Sequence, residues 1–136
     1  MSTLVPITGV VRPAAQNGAL ILLGALLWGG GVLVLRGAAM MNWLEGVPLL
    51  LFYGAIIPGT WPLIPLGARL SGLGRAGTVY ATAMVCATAV TIDGLVINFA
   101  PWIYATDVAV AKAIAGCLLW AIGVALILGF VRQGGR

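Results

Sequence analysis

The sequence predicts an all-α fold: an integral membrane four-helix up-down bundle whose second helix is kinked by prolines. Three observations predict it. The chain is 62% hydrophobic and 7% charged, with a mean hydropathy of +1.13, where a soluble domain carries roughly 25% charged residues. A water-facing surface made from this alphabet would be one large apolar patch, so lipid is the expected surroundings. The charges also divide the chain evenly: 23 uncharged residues separate Arg12 from Arg36, 23 separate Glu45 from Arg69, 17 separate Arg75 from Asp93 and 19 separate Lys112 from Arg132. A helix needs about 20 apolar residues, range roughly 17–25, to cross a hydrocarbon core. All four windows qualify. With 136 residues there is room for a single domain, 1–136, with spans near 18–38, 47–68, 76–97 and 109–131.

Residues 1–16, with Pro6 and Pro13, are too apolar for a solvated tail and are expected along the membrane surface. The first span, apolar from Gly18 to Leu35, is longer than the roughly 7–15 residues of a signal-peptide core. It is read as a retained helix, although a small-residue stretch (Gly37-Ala38-Ala39) follows it.

Span two carries four prolines. Pro48 falls in the first turn, where a missing N–H costs little. Pro58, Pro62 and Pro65, with Gly59, crowd the inner half. An interior proline frees a backbone carbonyl, which in lipid must find a partner inside the protein. Broken helices of this kind can mark transporter substrate sites. The plainer expectation is a kink whose carbonyls are met by Thr60, a neighbouring helix or water.

In span three, Ala83, Ala87 and Thr91 recur every four residues. Small residues at that spacing allow close helix approach, so this span is expected to be the buried, central one. Trp28 and Trp120 lie at mid-depth in spans one and four, deeper than tryptophan's usual interfacial place. They are read as packing residues, in the bundle or against a partner, ahead of stacking on a pigment or quinone. Spans one and four share a short pattern (Gly24-Ala-Leu-Leu-Trp28 and Gly116-Cys-Leu-Leu-Trp120). First matching last fits no simple duplication and reads as coincidence.

The charges set the topology. Arg12, Arg69, Arg75, Arg132 and Arg136 fall on one side of the spans; Arg36 and Lys112 fall on the other. Lys/Arg-rich short loops stay cytoplasmic, so both termini are expected there. All three acids, Glu45, Asp93 and Asp107, go to or near the outer face. Asp93 with Arg36 and Lys112 forms a candidate cluster, read first as an ion-pair latch and second as a cation- or proton-responsive carboxylate in an outward cavity near Asn98. Phe99, Trp102 and Tyr104 read as an interfacial aromatic belt.

Several chemistries have no support. There is no histidine, and the two cysteines, Cys86 and Cys117, have no metal-ligand or redox spacing. No catalytic residues, metal ligands or cofactors are expected. Scattered basic residues make no nucleic-acid footprint.

Three stretches taken together, Leu-Leu-Trp28 leading through glycines to Leu35-Arg36-Gly37, Ile92-Asp93-Gly94 with Phe99-Ala-Pro101, and Leu118-Leu119-Trp120 with Gly123 to Gly129, resemble a family of small four-helix bacterial membrane proteins of unknown function. The resemblance covers most of residues 20–130 and implies a fold without an activity. The chain is similar in size to small multidrug exporters, but those carry a glutamate in the first helix, and span one has no acid. Quinone-linked thiol oxidoreductases of four helices need paired outer cysteines, which are also missing here.

The expectation is therefore a non-enzymatic multi-pass protein of the bacterial inner membrane. It would be an accessory or scaffolding subunit that packs against membrane lipid and other membrane helices, or self-associates. The alternative is a small oligomeric transporter or channel using Asp93 and the broken second helix.

Overall fold

The computed structural model describes residues 14–72 and 74–135. The described residues are all helical or connecting, with α1 at Ala14–Met40, α2 at Gly46–Thr60, α3 at Leu63–Leu70, α4 at Thr78–Phe99 and α5 at Val108–Gly134. Short 3₁₀ turns at Gly74–Gly77 and Pro101–Ile103 lead into α4 and follow it. With α2 and α3 counted as one interrupted helix, four helices are long and apolar enough to cross a membrane. The expected surface segment lies outside the described residues up to Pro13; from Ala14 the chain is already helical.

Contacts at the two ends fix the helix directions. At one end Tyr80 donates to Asn17 (2.8 Å), and the Val79 amide donates to Gln133 (2.9 Å), which places the starts of α1 and α4 beside the end of α5. At the other end Arg36 Nη1 donates to the Ile103 carbonyl at 2.8 Å. There Leu35, Ala38, Leu44 and Tyr104 share one buried cluster.

Helix α4 is central. It packs against α1, α3 and α5, while α2 packs on α5 and hardly meets α1. The second span meets α1 through α3, while its first part, α2, packs on α5. The expected packing face of α4 needs correcting. Ala83, Ala87 and Thr91 point outward, and the buried face is Thr78, Ala81, Thr82, Cys86, Asp93 and Val96. The small residues that permit close approach are glycines on the partner helices. A Cβ on Gly24 of α1 would sit 2.8 Å from both Thr88 Cβ and the Val85 carbonyl oxygen, and one on Gly129 of α5 would sit 3.2 Å from Thr82 Oγ1. The stripe was read on the wrong helix because four-residue spacing marks a face but not its direction.

The second span loses its regular helical hydrogen bonding at Trp61-Pro62, but both residues keep right-handed helical φ and ψ, so the two parts form one kinked helix as the prolines predict. Pro62 is the N-cap of α3 and Pro65 falls in its first turn, where neither N–H would have had a helical partner. Of the span's prolines, Pro58 alone lies beyond the first turn of a helix. Thr60 Oγ1 donates to the Ile56 carbonyl at 2.7 Å, which steadies the last turn before the break. No residue of α2 is fully buried, whereas α3 buries Ile64, Gly67 and Ala68.

Candidate functional site

Asp93 stands on the buried face of α4 and is only 3% exposed. Its Oδ1 accepts from the Trp28 indole N–H at 2.7 Å and from the Tyr104 hydroxyl. The two rings meet edge to face, with centroids 6.5 Å apart. The other carboxyl oxygen, Oδ2, is buried without a hydrogen-bond partner. A buried polar atom left unpaired costs about 1–3 kcal/mol, so each one calls for an explanation.

Local sequence explains how these groups meet. Trp28 is on the same stripe of α1 as Leu20, Gly24, Val32 and Leu35, and that stripe faces α4. Pro101 starts the 3₁₀ turn after α4, and the turn swings Tyr104 back against the helix bundle until it is 1% exposed. Tyr104 was expected in an outer aromatic belt; Phe99 and Trp102 are exposed at 75% and 63%, but Tyr104 is not. Its hydroxyl proton is held more tightly than that of a free phenol, first because of burial and second because Asp93 accepts it.

The expected latch is not what Asp93 makes. Oδ1 is engaged by Trp28 and Tyr104, Oδ2 meets no donor, and Arg36 spends Nη1 on the Ile103 carbonyl. Lys112 is exposed on the first turns of α5, and Asn98 donates to the Gly94 carbonyl one turn back. Asp93 also lies farther from the Arg36 end of α1 than counting along the chain places it. Trp28, at its own level, lies eight residues before Arg36, about 12 Å along a helix.

Asp93 and Trp28 line a cavity of about 350 Å³ bounded by all five helices. Its remaining walls are almost wholly apolar, from residues such as Val85, Ala89, Leu118 and Ile122. The broken span contributes Ile56, Gly59 and Thr60 from α2, then Leu63, Ile64 and Gly67 from α3. Of the proline–glycine group, then, Gly59 borders the cavity, while Pro58, Pro62 and Pro65 shape the break beside it. Leu26 and Gly30 of α1, with Gly59 and Leu63 across from them, are exposed as well as lining. The cavity therefore reaches the outer surface of the bundle between α1 and the second span.

Trp120 has a different setting. It is 42% exposed, donates to the Tyr53 carbonyl at 3.1 Å and lies against the Tyr53 ring with centroids 5.3 Å apart. It pins α2 to α5. Cys86 and Cys117 are buried free thiols. Among the described residues no group of His, Cys, Asp or Glu has the arrangement to hold a metal ion.

The chain matches no family model, and comparison with curated proteins and with solved structures finds no similar chain. Sequence reasoning identified Asp93, Trp28 and the broken span separately. It missed Tyr104, whose role depends on a turn that folds back. The signal that could have joined Asp93 to Trp28 was their similar separations, thirteen residues from Tyr80 and eleven from Asn17, two residues that meet at one end.

Proposed function

We propose that this chain is a multi-pass protein of a bacterial inner membrane, with both termini cytoplasmic, that takes a lipophilic organic cation into its own bundle and acts as a small transporter. It needs no catalytic chemistry to do so. The observation that carries the reading is Asp93, one of whose carboxyl oxygens is buried without a partner, among the residues that line an apolar cavity. An ionisable side chain among membrane helices costs energy and ordinarily serves a function. A cavity of about 350 Å³ is in the range for a small organic ligand, in which one polar group fixes orientation and the walls supply burial. An ammonium or related cation would complement Oδ2, and the adjacent Trp28 indole adds cation–π attraction.

The route also supports the reading. The gap along Leu26, Gly30, Gly59 and Leu63 would admit an amphipathic molecule sideways from lipid. The break at Trp61-Pro62 supplies a hinge, and α2 has no buried residue to hold it. Sparse buried contact is the physical condition for low-cost local movement.

The test uses purified full-length protein in detergent, titrated with tetraphenylphosphonium and followed by tryptophan fluorescence, then reconstituted for liposome flux. Binding and flux are expected in the parent chain and absent in Asp93→Asn, which keeps an acceptor for Trp28 and Tyr104 but removes the charge. Equal binding by the two proteins would refute the proposal.

A second reading, an accessory subunit or self-associating protein, is favoured by the outward stripe of Ala83, Ala87 and Thr91, which offers another helix a close-packing surface. Co-elution of a stoichiometric membrane partner from mild detergent would favour it.

A further inference from the structure

At the end of the bundle opposite Tyr104, a separate cleft of about 770 Å³ is lined by Trp61, Arg69, Arg75 and Arg132 among others. The three arginines come from three elements: the last turn of α3, the 3₁₀ turn before α4 and the last turn of α5. Among the described residues no acid lines this cleft. Glu45 and Asp107 are in the connections at the far end, and Asp93 faces the other cavity. Three guanidinium groups around one space repel each other unless an anion joins them.

Two of the arginines are held in place. Arg75 Nε donates to the Arg132 carbonyl at 3.0 Å and its Nη2 donates to the Gly135 carbonyl. These bonds cap the end of α5, yet they use only two of the five N–H donors a guanidinium carries. The Arg132 guanidinium carbon is 5.1 Å from the Trp61 ring centroid. Arg69 is exposed at the mouth. The rest of the cleft wall is largely apolar, from Trp61, Pro65, Ala68 and Val131, of which Trp61 and Val131 are exposed. The cleft thus joins a cationic centre to an apolar border at the end of the spans.

We infer that this cleft binds the phosphate headgroup of an anionic phospholipid, with the acyl chains lying along the apolar border. Arginine suits the planar, multidentate recognition of phosphate oxygens, and basic pockets between helices on the cytoplasmic side are suited to such headgroups. A soluble phosphate would satisfy the guanidinium groups but would leave the apolar border without a role. The inference rests on the membrane placement and is independent of any guest at Asp93.

The test is native mass spectrometry of the full chain in detergent, titrated with phosphatidylglycerol or with phosphatidylcholine of the same acyl length. One phosphatidylglycerol is expected to be retained in preference to phosphatidylcholine. The preference should fall roughly thirtyfold in Arg69→Gln/Arg132→Gln, the worth of two arginines at a membrane surface. If that double variant does not fold, Arg69→Gln alone carries the test, with a fall of roughly fivefold expected, since its side chain is exposed. Unchanged preference in the variants, equal retention of the two lipids, or displacement of the lipid by millimolar inorganic phosphate would each overturn the inference. Asp93→Asn should leave the lipid preference intact, so a failure here is distinguishable from a failure at the cavity.

Discussion

Trp28 donates its indole N–H to Asp93 Oδ1 across 2.7 Å, which ties the middle of α1 to α4. Hydrogen bonds to charged groups contribute about 1.5–3 kcal/mol, and neutral ones about 1. Trp28→Phe keeps most of the ring and deletes the donor. Its expected outcome is a loss of about 1–3 kcal/mol of stability, read as a lower midpoint in a thermal melt of the detergent-solubilised protein. An unchanged midpoint would show that the pairing contributes nothing net.

The glycines of α1 divide by what surrounds them. A Cβ at Gly24 would collide with Thr88 Cβ and the Val85 carbonyl, each 2.8 Å away, whereas one at Gly29 would meet nothing within 4 Å. Gly24→Ala must push α1 off α4, and overpacking of this kind costs about 1–3 kcal/mol. Gly29→Ala meets no clash and gains up to about 1 kcal/mol of helix propensity. Thermal melts of the two variants should therefore shift in opposite directions.

Much of the architecture was legible because it depends on composition along the chain. Uncharged windows of the right length located four helices, and Pro62 with Pro65 located the interruption to within a few residues. The direction in which each helix faces was not legible. When all sides of a helix are apolar, burial leaves no periodic trace, so Ala83, Ala87 and Thr91 looked like a packing face while Thr82, Cys86 and Asp93 form the real one. Counting residues placed Asp93 at the rim for a related reason: it assumes each helix ends where the membrane does. The connection from Pro101 to Tyr104 instead turns back and covers the carboxyl, and no local pattern announces that long-range contact.

Tyr104 gives a pH signature. Its hydroxyl is raised above the ordinary 10.0, by burial foremost and by Asp93 accepting its proton. The folded phenol thus keeps its proton to higher pH than the unfolded one. Its contribution to stability is complete below pH 10 and declines as pH rises above that value, where only the unfolded state has released the proton. Denaturation monitored between pH 8 and 11 should show the parent chain weakening above pH 10, with a smaller slope in Tyr104→Phe. Parallel slopes would mean that the hydroxyl is not shielded in the way its burial implies.

Filling the cavity separates a guest site from a packing defect. Ala89 lines the space one helical turn before Asp93, and residues four apart share a helix face. A leucine there would occupy volume now bounded by apolar walls and would leave Trp28, Tyr104 and the carboxyl unaltered. Since empty apolar volume is destabilising by roughly 24 cal/mol per Å³, Ala89→Leu should melt at the same temperature or higher. The same change should abolish tetraphenylphosphonium binding, because the cation and the new side chain compete for one space. A variant that is stabilised yet binds undiminished would place the guest somewhere other than beside Oδ2, and a variant that is destabilised would show that the helices close on this space in the folded protein. Stability kept with binding lost is the one combination that requires both an open cavity and an occupant that uses it.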